Sequence, residues 1–209
     1  MSRIEEWRER LIARGGTARA SVGARHLGFQ RHFNVSVERL ASVMSTKVPR
    51  GLFLMGLVRA LRPSSCVEIG SAAGFSAAYE AAGLELNGHG ELTCIEASAD
   101  CAAIAAETLS ALGLDVRARV VQGRGSDRID EFAARSGPFQ LAFLDDDHRR
   151  AGTLETADPL IDALSPDGVL LIDDIRLSSG MWRGWKQLRE DPRLKFATDL
   201  GWSGVCVRA

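Results

Sequence analysis

The apolar positions of this chain recur first at helical spacing and later in short continuous runs. Ile4, Trp7, Leu11 and Ile12 form one apolar stripe on a charged segment, so Ser2 to Arg14 is expected to be an amphipathic helix, ended by Gly15 and Gly16. Thr17 to Phe33 has no such stripe. It contains glycine and is basic (Arg19, Arg25, Arg31, with His26 and His32) and reads as a solvated surface arm, or alternatively as a lid over a site. Asn34 stands where it would cap a helix carrying Val37, Leu40, Val43 and Met44. Pro49 marks the start of a further helix, Gly51 to Leu61, which ends before Pro63.

From there apolar runs alternate with helix-like segments. The runs are Cys66–Ile69, Leu92–Ile95, Ala118–Val121, Leu141–Leu144 and Val169–Ile172. Between them lie Phe75–Leu86, Ser98–Leu112, Ser126–Arg135 and Ala151–Leu164. Near-continuous apolar strands separated by helices predict a parallel sheet covered on both faces, a three-layer α/β architecture. Ser178–Glu190 gives one more helix. Lys195–Leu200 and Gly204–Arg208 follow, joined by Gly201–Trp202–Ser203, which is too short for a helical crossover. Those two strands are expected to pair antiparallel. A single domain over 1–209 is expected, with 1–48 covering a site built by 49–209.

Composition narrows the class. Apolar residues make up 45% and charged residues 25% of 209, and the net charge is −1. That excludes a generic polyanion binder, so no nucleic-acid partner is expected. Cys66, Cys94, Cys101 and Cys206 have no C-x-x-C spacing and read as reduced core residues, pointing to a cytoplasmic protein. The charged N-terminus is unlike a signal peptide, and no run approaches the roughly 18 apolar residues of a membrane span. The apolar stripe on the first helix offers a surface for pairing with a second copy.

Candidate chemistry sits where apolar runs end. Glu68-x-Gly70-x-x-x-Gly74, followed by Ser76, joins a strand to a helix through a turn that exposes backbone to a ligand. It lacks the G-x-G-x-x-G spacing of dinucleotide folds, and no phosphate-binding G-x-x-x-x-G-K-[ST] occurs. Glu96 ends the next strand and can accept hydrogen bonds from a ribose diol, or cap the following helix. Gly123–Arg124–Gly125–Ser126–Asp127 can edge an adenine ring, although Asp127 can equally stabilise a helix start. Asp145–Asp146–Asp147–His148 and Asp173–Asp174 end two runs that a parallel sheet places at one edge. Carboxylates gathered in a crevice must take up protons or hold a cation, and Mg²⁺ suits oxygen ligands. Asp173 and Asp174 can serve one ion only if the chain turns there. His148 is either a base or a group that fixes an aspartate. Trp182 and Trp185 are either core or a wall for a planar substrate.

With these motifs the chain resembles the class I S-adenosylmethionine-dependent methyltransferases, most closely the small metal-dependent O-methyltransferases related to catechol O-methyltransferase. The resemblance rests on Val67 to Ser76, Glu96, Ala142 to His148, and Leu164 to Asp174. It implies a Rossmann-like fold with a seven-stranded sheet whose last strand inserts antiparallel. It implies that Gly70, Ala72 and Ser76 border the methionine end of the cofactor, that Glu96 holds the ribose, and that Gly125, Ser126 and Asp127 lie by the adenine. It implies Asp145, Asp173 and Asp174 as metal ligands. Position 174 is commonly Asn in catechol-type enzymes, and the lysine base of that branch is replaced by His148. The expected activity is methyl transfer to a hydroxyl of a small molecule, assisted by Mg²⁺. A metal-independent N-methyltransferase and a non-catalytic cofactor-binding relative are the alternatives.

Overall fold

The computed structural model describes residues 2–24 and 29–209. The chain begins with α1 (Ser2–Arg14), a hairpin of β1 (Thr17–Ala24) and β2 (Phe29–Ser36), α2 (Val37–Ser42) and α3 (Val48–Leu61). Then come β3 (Ser65–Ile69), α4 (Phe75–Asn87), β4 (Glu91–Glu96), α5 (Ala99–Leu112), β5 (Ala118–Gln122), α6 (Gly125–Ser136), β6 (Phe139–Leu144) and α7 (Arg150–Ala163). The chain closes with β7 (Leu164–Ile172), α8 (Ser179–Leu188), β8 (Leu194–Asp199) and β9 (Gly204–Arg208).

Seven strands form one sheet in the order β5-β4-β3-β6-β7-β9-β8. β3 to β7 run parallel, and β9 lies antiparallel between β7 and β8. All five residues of β3 are buried, as are the last five of β7, because helices cover both faces of the sheet. Successive strand residues feed two cores. Cys66, Leu92, Cys94 and Leu141 pack with α1, α4 and α5, whereas Val67, Ile95, Ala142 and Leu170 pack with α6, α7 and α8. Strand order reverses between β3 and β6: the chain steps one way through β4 and β5, then returns to the other side. The carboxyl ends of β3 and β6 therefore flank a crevice, where ligands bind in open α/β sheets.

The N-terminal fifth differs from the sequence expectation. The described part of Thr17–Phe33 is a regular antiparallel hairpin rather than a loose arm; Arg25 and His26 lie outside the described residues. Ala18, Ala20 and Val35 are buried along it, an alternation that alanine makes weak in sequence. Asn34 sits within β2 and caps nothing. The α2 cap is Ser36, whose hydroxyl accepts from the Arg39 N–H at 3.1 Å. That helix ends at Ser42, which leaves Val43 and Met44 exposed beyond it. The α1 stripe packs within the chain: Ile4 and Leu11 are buried in the α4/α5 core. Arg8, on the same stripe, is 8% exposed. Its guanidinium lies 3.9 Å over the Phe75 ring and donates to the carbonyls of Ala41 and Thr46.

Candidate active site

The turn after β3 is shaped by close approach. Gly70 has φ +92°, and a Cβ there would collide with the backbone carbonyl of Asp145. Only glycine combines that conformation with that contact. Ala72 holds a left-handed φ of +48°, a strained position for a residue with a Cβ. Its N–H donates to Glu96 Oε2 at 2.9 Å, while Glu96 Oε1 accepts from the Ser98 N–H at 2.8 Å. Two backbone donors thus orient the Glu96 carboxylate across the turn, and burial raises its pKa. Gly74, φ +81°, sits against α5 where a Cβ would meet Ala105.

At the ends of β6 and β7 three carboxylates gather with two cations. His148 Nε2 lies 3.3 Å from Asp145 Oδ1 and 3.2 Å from Asp174 Oδ2. Arg50 Nη1, from the first turn of α3, lies 3.3 Å from Asp173 Oδ2 and 3.2 Å from Asp174 Oδ1. Asp173 Oδ1 accepts from the Ser203 hydroxyl and from the Asp174 N–H, each at 2.8 Å. Trp202 receives the Arg50 guanidinium over its ring at 4.8 Å and packs edge-on against Phe53. The strand has ended at Ile172, and Asp174 has φ +52°, so the chain turns as the sequence argument required for both acids to face one crevice. Asp and Asn tolerate that left-handed state best.

Charge follows from this geometry. Hydrogen bonds to Asp145 and Asp174 push His148 up to about 11, so it is an imidazolium at neutral pH. The same contact lowers Asp174. Burial, with Asp145 and Asp174 nearby, raises Asp173 to about 6. Asp146 is half-buried, with its Oδ1 shielded from solvent and Oδ2 accepting from the Thr156 hydroxyl, and desolvation raises it to about 7.

The turn and the acid cluster open into one cavity of about 900 Å³. Gly70, Ala72, Glu96, Gly125 and Ser126 line one end, and Asp145, His148, Asp173, Asp174 and Arg50 the other. Phe33, Val43, Met44 and Leu177 add an exposed apolar rim.

A family model described as a methyltransferase domain matches residues 67–175, which is 109 of 209 residues. The chain belongs to this methyltransferase family. Cofactor-bound Rv0187 from MTB shares 25% identity and a TM-score of 0.67, over 79% of this chain and 81% of that one. The O-methyltransferase from Bacillus cereus in complex with SAH shares 23%, TM-score 0.66, over 80% and 84%. TomG from Streptomyces achromogenes, in complex with SAM, shares 22%, TM-score 0.65, over 79% and 81%. Among curated proteins none matches in sequence. Fold and family agree, and the enzyme is a class I S-adenosylmethionine-dependent methyltransferase with the seven-stranded sheet that the resemblance implied.

Within this methyltransferase the expected cofactor residues divide. Gly70, Ala72, Glu96, Gly125, Ser126 and Asp145 line the cavity; Glu68, Gly74, Ser76 and Asp127 do not. Glu68 is fully buried behind the turn, where Ser71 donates to its Oε2 at 3.1 Å and burial raises it to about 7. Trp185 belongs to the core, and Trp182 is covered by Arg176 rather than facing the cavity. Sequence reasoning missed Arg50, Ser203 and Trp202. One signal for Arg50 existed: a cation in the first turn of a helix opposes the helix dipole and needs a reason to be there.

The metal expectation meets a crowded site. Carboxylates suit a hard divalent ion, but five of the six oxygens of Asp145, Asp173 and Asp174 already face Arg50, His148, Ser203 or the Asp174 N–H. Among the described residues no three His, Cys, Asp or Glu side chains are arranged to hold an ion. The residues as arranged do not fit Mg²⁺. Among the described residues, no helix is long and apolar enough to cross a membrane.

Proposed function

We propose that this methyltransferase transfers the methyl group of S-adenosylmethionine to a hydroxyl of a small-molecule acceptor. The observation that carries the reading is the single cavity joining the Gly70–Ala72 turn and Glu96 to the acid cluster at Asp145, Asp173 and Asp174. Its volume lies at the upper end of ligand pockets, which leaves room for two ligands side by side. O-methyltransferases of similar fold, in complex with SAH or SAM, support an oxygen acceptor.

The residues present fit the cofactor. Gly70 leaves bare backbone where a side chain would stand, and Glu96 keeps lone pairs beyond its two backbone donors for a ribose diol. Gly125 and Ser126, at the start of α6, border the adenine in this reading. The bound cofactor supplies an electrophilic methyl on a sulfonium that leaves as a neutral thioether. The chain's part is positioning: it holds the acceptor hydroxyl against the acid cluster, in line with the methyl. A carboxylate of the cluster takes the hydroxyl proton in this reading, since the close contacts of His148 Nε2 are to Asp145 and Asp174. His148 instead fixes Asp145 and Asp174.

The test starts with calorimetry of SAH and S-adenosylmethionine on ligand-stripped protein. Binding near one per chain is expected, followed by labelled-methyl transfer in a panel of hydroxyl and amine acceptors. No binding of either nucleoside sinks the reading. Binding with transfer only to amines moves the assignment to nitrogen, and binding with no transfer to any acceptor moves it to a non-catalytic relative.

A further inference from the structure

We infer that Arg50 is a built-in counter-cation occupying the place where related enzymes would be expected to hold a divalent metal, so that this methyltransferase positions its acceptor without one. The inference rests on the proposed methyl transfer for its functional meaning, and on the geometry of Arg50 for its substance.

Four observations converge. Arg50 Nη1 bridges Asp173 and Asp174 at 3.3 and 3.2 Å, joining the two neighbouring acids that one ion would have to share. Its guanidinium is held from the other side by Trp202 at 4.8 Å, in a hairpin turn that also delivers Ser203 to Asp173. A planar cation on an aromatic face is a built arrangement, not a chance contact. Arg50 stands in the first turn of α3, which contains no acid, so the local dipole is unfavourable to it and the distant aspartates must offset that cost. His148 bridges the remaining pair, Asp145 and Asp174. Mg²⁺ needs oxygens at about 2.1 Å in an octahedron. Such a site would require both cations to leave, and Arg50 would lose its aromatic seat.

Arg50 brings a fixed positive charge to two of the three carboxylates, because a guanidinium stays protonated in proteins. Arg50 is a positioning residue: it holds Asp173 and Asp174 in the orientation in which they meet the acceptor.

Mn²⁺ alone is the probe, followed by electron paramagnetic resonance and by calorimetry on the full chain. The wild-type protein is expected to leave Mn²⁺ free and to show no change in melting temperature with Mg²⁺. Arg50→Gln is expected to melt roughly 2–8 °C lower and to recover on adding Mg²⁺, because the bare carboxylates then accept an ion. One Mn²⁺ bound per wild-type chain and lost in Asp173→Asn overturns the inference, as does an Arg50→Gln variant as stable as wild type. If Arg50→Gln fails to fold, the wild-type Mn²⁺ titration still decides. SAH calorimetry on the same sample separates the two readings. Heat with SAH together with bound Mn²⁺ defeats only this inference, whereas no heat with SAH defeats the function.

Discussion

At Gly70 one hydrogen atom in place of a methyl decides whether β3 can end beside β6. The residue's φ of +92° and the Asp145 carbonyl each forbid a Cβ. Gly70→Ala is expected to cost roughly 2–5 kcal/mol, combining backbone strain with overpacking. Urea unfolding measures it, and wild-type stability in the variant would show that the turn relaxes freely. Cofactor affinity should fall with it, since the displaced backbone is the proposed cradle. Ser203 offers a second residue-scale test. Its hydroxyl is fully buried and donates to Asp173 Oδ1. Ser203→Ala leaves the backbone N–H of Asp174 as the remaining donor to that oxygen, and should destabilise by roughly 1–3 kcal/mol. Such contacts are poorly legible in a sequence. Arg50 meets Asp173 across 123 positions and Ser203 meets it across 30, and no local periodicity encodes either. Gly70, Glu96, Asp145 and Asp173 were legible because each ends an apolar run, and the ends of parallel strands share one edge.

Among elements, the alternating strands and helices from β3 to α8 follow the sequence expectation within a few residues, because fully buried strands must be apolar throughout. The β1–β2 hairpin escaped because two of its buried positions, Ala18 and Ala20, are alanines, which contrast little with the exposed Thr17 and Arg19 beside them. Its place explains the lid alternative in part: Ala20 and Phe33 line the cavity. Helix α1 controls a neighbouring wall. Arg8 donates to the carbonyls of Ala41 and Thr46, which bracket the exposed Val43 and Met44 of the cavity rim. Glu5 joins Arg8 to Tyr79 on α4, the helix that starts just after the Gly70–Gly74 turn. Arg8→Ala strands two carbonyls and Glu5, and should cost roughly 2–4 kcal/mol. If α1 sets the rim, the variant also weakens acceptor binding more than SAH binding. Equal weakening of both would mean that α1 supports α4 alone.

Across the whole molecule, buried acids set the pH response. Burial raises Glu68 and Asp146 to about 7 and Asp173 to about 6, and pushes Glu80 up further, with Glu68 beside it. Both Glu80 oxygens are buried, and neither has a hydrogen-bond partner. The unfolded groups titrate near 4. Below about pH 4 both states hold these protons, so nothing is lost. Between about 4 and 7 the folded state binds more protons than the unfolded one, and stability must fall as pH rises. His148 acts in the same direction: its contribution is present below about 6.5 and lost as pH rises towards about 11. Asp174, Asp191 and Asp199 act oppositely, being lowered in the fold, and their contribution disappears as pH drops through the acid range. The balance predicts a stability maximum near pH 4–5 and a decline from there to pH 8. Chemical unfolding at intervals across that range measures it. Glu80→Gln should flatten the decline and raise stability at pH 8, since an amide has no charge to desolvate. A wild-type curve that climbs from pH 5 to pH 8 would mean that these acids are ionised and paired in the fold, and that the polar layer behind the Gly70–Gly74 turn is held by charge and not by shared protons.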